Sequence, residues 1–432
     1  MRTFLIIWFG QLVSTFGSRM TGFALTIWAW ELTGKATALA LVSFFTILPR
    51  VFITLFAGTL VDRCNRKHLI MVGDAVAAVS TLAILLLYLT ENLQIWHLYV
   101  IGALNGAFSE IQELAYTASI SLLVSKQQYT RASSMNSTIH YGAIITAPAL
   151  AGALYYLIGL VGIALIDIVT FAIAISTVLL VHIPQPAINH TEHQKHLGIW
   201  QQVAFGFRYI LARPGLVAFM VFTALFWFAH DLGNALYSPM ILARTSNNAA
   251  VLGSLSSAAG IGGVTGALLL NTWGGPKRRI HGMLLGFVGA GISKTIFGLG
   301  QSPLIWLPAQ FCSSLNFPLL GSSSTAILLA KVAPEIQGRV FAAQSTILQI
   351  LSAIATLIAG PLADYLFEPA MMPKGSVAPV FSALVGTGSG AGMALLYITT
   401  SLSLILVGLS GYSFRVLREV EIIMPDHDNA SK

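Results

Sequence analysis

Runs of about 20 apolar residues recur along this chain, each long enough as a helix to cross the roughly 30 Å hydrocarbon core of a bilayer. Twelve can be drawn, at about 4–31, 38–61, 69–90, 95–124, 132–156, 160–183, 214–241, 250–272, 280–300, 304–330, 340–365 and 391–414. Inside hydrocarbon no water satisfies a backbone N–H or C=O, so a spanning segment forms a helix or joins a closed barrel. The runs lack alternation and exceed the length of a barrel strand, which excludes the barrel. Composition agrees: 56% of the residues are hydrophobic and 9% charged, against about 25% charged in a soluble domain. The 39 glycines suit close helix packing in lipid. The expected fold is an all-α integral membrane protein with twelve transmembrane helices. The apolar run to about Trp30 is too long for a secretory signal and reads as the first span.

A net charge of +7 raises nucleic acid as a partner. The basic residues, however, sit in short links, where they set topology, and no nucleic-acid partner is expected. With the N-terminus inside, 17 of the 23 Lys and Arg fall in inside segments; Lys35, Arg244 and Lys374 fall outside, and Arg19, Arg50 and Lys294 lie within spans. Both termini are therefore expected in the cytoplasm. The longest inside link separates an N-terminal six-helix bundle over 1–183 from a C-terminal one over 214–414, with a linker over 184–213 and a tail over 415–432. The halves repeat. Ser137-Thr138-Ile139 recurs 208 residues on as Ser345-Thr346-Ile347, and at that offset Arg131 matches Arg339 and Gly152 matches Gly360. Parallel six-helix repeats about an axis normal to the membrane are one transporter architecture.

Several chemistries lack their motif. His190, His193 and His196 read as a solvated linker rather than a metal site. Cys64 and Cys312 have no CxxC partner. No Walker phosphate loop, nucleophile elbow or HExxH run is present. The glycine-rich run Gly386 to Gly392 follows no strand and does not read as a dinucleotide site. Neither an enzyme nor a bound cofactor is expected.

The polar run after the second span is Gly58-x-Leu60-x-Asp62-Arg63-x-x-Arg66-Lys67. It resembles the loop 2–3 signature of the major facilitator superfamily. Further runs resemble its drug:proton antiporter branch, which includes macrolide-efflux and enterobactin-exporter types. They are Leu48-Pro49-Arg50, Asp167 to Phe171, Ala333-Pro334-Glu335 with Gly338-Arg339-Val340, Gly360-Pro361-Leu362-Ala363-Asp364 with Phe367-Glu368-Pro369, and Gly386-Thr387-Gly388-Ser389-Gly390. The resemblance implies that Asp62 and Arg63 close a cytoplasmic gate, together with Gly58, Arg66 and Lys67. The plainer reading is that these charges only enforce topology, although topology alone needs no acid inside a basic run. Helix 5 carries Gly142, Pro148 and Gly152, but Ala147 stands where the antiporter motif has glycine. Arg50, Pro148, Asp167, Arg339 and Asp364 are read as structural or gating residues.

Ionisable groups inside spans are costly and are candidates for function. Gln11, Thr15, Ser18, Arg19 and Gly22 share one face of helix 1, and Asn105, Ser109, Gln112, Glu113 and Tyr116 share one face of helix 4. Both faces are expected to line a water-accessible cavity. Trp227, His230, Asp231 and Asn234 cluster in helix 7, with Asn136 and His140 added from helix 5 and Gln349 from helix 11. Glu113 and Asp231 are the leading proton-coupling candidates, followed by Glu110 and His230; the competing reading is a structural ion pair with Arg19 or Arg50. The expected function is export of amphipathic organic compounds by a protein that moves protons and acts as a monomer in the bacterial inner membrane. An exporter dedicated to an endogenous metabolite such as a siderophore is the rival within transport. A non-transporting membrane receptor is the rival from another class.

Overall fold

A computed structural model describes residues 2–125, 128–183 and 199–423, which are helical almost throughout and contain no strand. The linker histidines fall outside the described residues. The long helices are α1 (Arg2–Thr33), α2 (Ala36–Arg63), α3 (Arg66–Leu89), α4 (Ile95–Leu123) and α5 (Tyr129–Leu179). After α6 (Ile199–Leu211) come α7 (Pro214–Arg244), α8 (Ala249–Trp273), α9 (Arg279–Leu299), α10 (Pro303–Leu315), α11 (Phe317–Lys331) and α12 (Pro334–Pro361). Two short helices, α13 (Glu368–Met371) and α14 (Ala378–Val385), precede α15 (Ala391–Ser413). Eight described stretches are long and apolar enough to cross a bilayer on composition alone. The polar stripes of α1 and α4 lie on helices that are equally long.

The fifth and sixth spans are two helices that meet at Gly159 with almost no loop, where φ is +62°, and α5 denotes both. That left-handed backbone is open to glycine at little cost. Three details depart from the expected elements. The tenth span breaks at Asn316 into α10 and α11, with Pro318 in the first turn of α11. The eleventh begins earlier than expected, at Pro334, and continues through a π-helical turn, Leu362–Phe367, into α13. The linker is not solvated throughout: α6 seats Gly206 against the Arg339 backbone, and the Arg339 guanidinium lies 5.2 Å from the Phe205 ring.

The described chain forms two compact units. Unit 1 contains Met1–Gly34, Leu41–Lys195 and Asn247–Ser257; unit 2 contains Lys35–Ala40, His196–Ser246 and Ala258–Lys432. In unit 1, α1 lies along the second half of α5. Gly10 meets Thr177 there and Gly17 meets Asp167 and Thr170, so any side chain at either glycine would push the helices apart. At Pro148 the proline carries no N–H for the helix ladder, and Ser257 Oγ donates to the neighbouring Ile145 carbonyl at 2.5 Å.

Unit 2 packs around Phe219, Phe226, Phe287 and Leu320, with the Phe226 and Phe287 rings stacked 4.0 Å apart. One end is fastened by side chains that satisfy helix termini. Asp364 accepts from the N–H groups of Ala36 at 3.0 Å and Thr37 at 2.8 Å, the first donors of α2. Glu368 accepts from Gly390 at 3.2 Å and Met393 at 2.9 Å, at the start of α15. Arg244 donates to the Gly300 carbonyl at 2.8 Å and the Val385 carbonyl at 2.6 Å, at the ends of α9 and α14. Free N–H and C=O groups at helix ends need such partners.

Candidate functional site

Polar side chains gather in three places in unit 1. Arg50 lies near the middle of α2, and Glu110 and Glu113 are one turn apart on α4. Arg50 Nε donates to Glu110 at 2.6 Å and Nη2 donates to Glu113 at 3.1 Å. Their side chains are 44%, 14% and 65% exposed respectively, so Glu113 is the accessible member and Glu110 the sheltered one. Arg19 on α1 feels the charges of both Arg50 and Glu113. Two cations and two carboxylates thus balance at mid-span. Glu110, off the expected stripe of helix 4, belongs to this cluster as fully as Glu113 does.

Asp167, on the second half of α5, is buried. It accepts from Thr81 Oγ1 at 3.0 Å and, more weakly, from Ser18 Oγ and Thr170 Oγ1 at 3.5 Å. This carboxylate bonds three hydroxyls and makes no described ion pair.

The stripes on α1 and α4 do not lie wholly along open space. Gln11 is buried and donates to Asp74 of α3 at 3.0 Å, and Gln112 donates to the other oxygen of Asp74. Asn105 accepts from Ser80 at 2.9 Å, Thr15 donates to the Gln11 carbonyl at 2.7 Å and Tyr116 is buried. Ser109, Arg19 and Gly22 remain exposed. Each stripe is therefore a mixed face, because α3 offers its own polar groups to both helices. Asp74 does not figure among the expected site residues. The signal for it is a single carboxylate inside the apolar run Arg66–Leu89.

Part of the signature run lies among the described residues. Asn65 caps α3, accepting from the Lys67 and His68 N–H groups at 3.0 and 3.4 Å. Arg66 donates to the Ala118 carbonyl at 2.7 Å. Lys67 donates to the Leu179 carbonyl at 2.9 Å and the Val181 carbonyl at 2.8 Å, at the end of α5. Lys67 thus fastens a helix end, and Arg66 ties α3 to α4. The backbone of Gly58, Asp62 and Arg63 is helical, while their side-chain surroundings lie outside the described part, as do the side chains of Asn136 and His140.

In unit 2 a cavity of about 540 Å³ opens between α7, α9, α11 and α12. Trp227, Asp231, Phe287, Phe341 and Gln349 line it together with Gln344 and several hydroxyls. Its volume falls within the range of small-molecule sites, about 300–1,000 Å³. His230 Nδ1 lies 3.0 Å from Asp231 Oδ1, and the His230 ring packs edge-on to Phe317 at 5.1 Å. Behind them Lys294 is buried on α9, bonds the Tyr397 hydroxyl at 3.2 Å and feels the charge of Asp231. Gln349 bonds Ser345 at 2.8 Å, whereas Asn234 is exposed and is not among the cavity's lining residues. The site thus pairs a carboxylate with aromatic walls, a chemistry that holds amphipathic compounds and favours cations. No described cluster of His, Cys, Asp or Glu could hold a metal ion.

The sequence profile of the Major Facilitator Superfamily matches residues 7–356. Macrolide efflux protein A of Streptococcus pyogenes is 28% identical over 368 residues, covering 84% of this chain and 89% of its own. Enterobactin exporter EntS of Escherichia coli O1:K1 / APEC is 26% identical over 360 residues, covering 82% of this chain and 79% of its own. Among solved structures, a variant of the nucleoside transporter NupG superposes with a TM-score of 0.70 at 13% identity, covering 94% of this chain and 98% of that one. That likeness concerns the fold.

Proposed function

Because the chain belongs to the Major Facilitator Superfamily, a family of multi-pass membrane transporters and not of enzymes, we propose that it exports amphipathic organic compounds, cations foremost, in exchange for protons. The observation that carries this reading is the unit 2 cavity, which sets Asp231 among Trp227, Phe287 and Phe341. A protonated amine of a macrolide-like compound would pair with Asp231 while its apolar body packs on the rings. The similarity to macrolide efflux protein A supports the same class of cargo.

The coupling groups in this reading are Asp231 and Glu113, with Glu110 and His230 tuning them. Asp231 lies 3.0 Å from the His230 ring nitrogen, and Glu113 accepts from Arg50 at 3.1 Å. Transport proceeds by alternating access, with Asp62 and Arg63 closing the cytoplasmic side. The protein works as a monomer in the bacterial inner membrane, with both termini cytoplasmic. The experiment is flux in proteoliposomes: a labelled macrolide should accumulate in response to an imposed pH gradient, and Asp231→Asn should abolish that accumulation. Macrolide binding without gradient-driven flux would sink the exporter reading and favour a receptor.

A second reading is favoured by the similarity to EntS, and by the buried cation Lys294 near the cavity. An exporter dedicated to a siderophore-like acid would use Lys294 in place of Asp231. A compound panel separates the two, since a dedicated exporter moves one anionic compound and leaves the cationic ones behind.

A further inference from the structure

Apart from the Arg50 cluster, the Asp74 carboxylate is sealed within unit 1, 1% exposed, in the third turn of α3. Both of its oxygens are occupied by amides: Gln11 Nε2 from α1 reaches Oδ2 at 3.0 Å, and Gln112 Nε2 from α4 reaches Oδ1. Gln112 also donates to Gln11 Oε1 at 3.2 Å, which closes a three-membered ring of side chains across three helices. Gly73 makes room for it, because a Cβ there would meet the Gln112 side chain at 2.6 Å.

No described cation pairs with this carboxylate. The charged groups named on the helices packed around it are engaged elsewhere or lie farther along their helix. On α4, Glu110 and Glu113 hold Arg50. On the second half of α5, Asp167 is occupied by hydroxyls. On α1, Arg19 lies about two turns beyond Gln11. On α3 itself, Arg66 and Lys67 donate to backbone carbonyls.

A carboxylate sealed from water without a cation costs far more than its neutral acid. Two amide donors offset only part of that cost. The neutral acid finds a glutamine oxygen for its O–H once one amide is turned over, at the cost of the Gln11–Gln112 bond.

We propose that Asp74 is a proton-holding site of this carrier, additional to the candidates above: neutral while it is sealed from water, and ionised once water reaches it. On release the Asp74 O–H bond breaks, the proton passes to water, and the carboxylate is left bound by both amides. The two glutamines carry the change outward. Gln112 directly precedes Glu113, and Gln11 shares the α1 stripe with Arg19. Asp74 is therefore a positioning group that links a proton to the Arg50 cluster and does not touch cargo. This inference rests on the reading of the chain as a proton-coupled exporter.

The test uses the full chain in lipid vesicles and has two arms. Infrared difference spectra between acid and alkaline pH should show a buried protonated carboxyl band that Asp74→Asn removes and Asp167→Asn leaves in place. In Gln112→Leu, which keeps Asp74, the band should shift. A band unchanged in Asp74→Asn, or unmoved in Gln112→Leu, overturns the proposal. In the second arm, Asp74→Asn imitates the permanently protonated state. It should keep exchange of labelled for unlabelled erythromycin but lose accumulation against a pH gradient, down to the level seen without one. Wild-type-like accumulation in Asp74→Asn overturns the proposal. If the wild type itself ignores the gradient, the exporter reading fails, and the infrared arm alone decides whether Asp74 holds a proton.

Discussion

Arg50 shows what a single residue does at mid-span: one guanidinium holds two carboxylates that would otherwise stand unpaired near the centre of the membrane. We predict that Arg50→Gln lowers stability by about 1–3 kcal/mol, at or below the lower end of what breaking a buried pair costs, because Arg50 is 44% exposed. The double variant Arg50→Gln/Glu110→Gln should be less destabilised than the sum of the single changes, because each single change strands a charge. Thermal melts of the purified variants measure both. The sequence names Arg19, Arg50, Glu110 and Glu113 as unusual, since charge inside an apolar run stands out. It does not say which groups pair, because that depends on the relative register of α2 and α4. Asp74 was harder to see. Periodicity on α1 and α4 exposes a polar stripe on each, and water is the simplest partner for a polar stripe. Here part of each stripe faces a polar group on a third helix, and a polar face alone does not distinguish these partners.

At the scale of elements, most spans were legible because lipid leaves a long apolar run no option but a helix. The departures occur where single residues override the run. Asn316 and Pro318 split a span, and the helix of α12 runs on beyond its apolar stretch to Asp364 and Glu368. Both acids satisfy the N-terminus of another helix, which no local pattern in their own segment announces. Asp364→Ala should therefore lower the melting stability by about 0.5–2 kcal/mol, the usual worth of a helix cap. Asp364→Asn should cost less, since the amide oxygen still accepts. Equal melts for the alanine variant and the wild type would remove the capping role. The Gly58 run carries the same glycine-x-leucine-x-acid order as Gly360 to Asp364. If Asp62 performs a comparable task at the other end of α2, Asp62→Asn should impair transport while expression persists, and unchanged efflux from a well-inserted variant would exclude it.

For the whole molecule, the distribution of Lys and Arg makes a prediction about sidedness. Lys374 is exposed between α13 and α14, in a segment expected outside, and Arg278 and Arg279 lie in a link expected inside. Trypsin added to intact spheroplasts should cut after Lys374 and spare the Arg278–Arg279 link until the membrane is opened; the opposite order would invert the topology. The turn at Gly159 also bears on how a cell carrying this protein is seen from outside. With both termini inside, as proposed, the outer links within unit 1 would include the short stretch from Thr90 to Gln94 and the one-residue elbow. An antibody or a phage tail would find little purchase there. Unit 2 would offer the longer stretch from Met372 to Gly390. Surface recognition of the carrier, whether immune or viral, would read the second half of the chain, and sequence drift under such pressure would collect between α13 and α15.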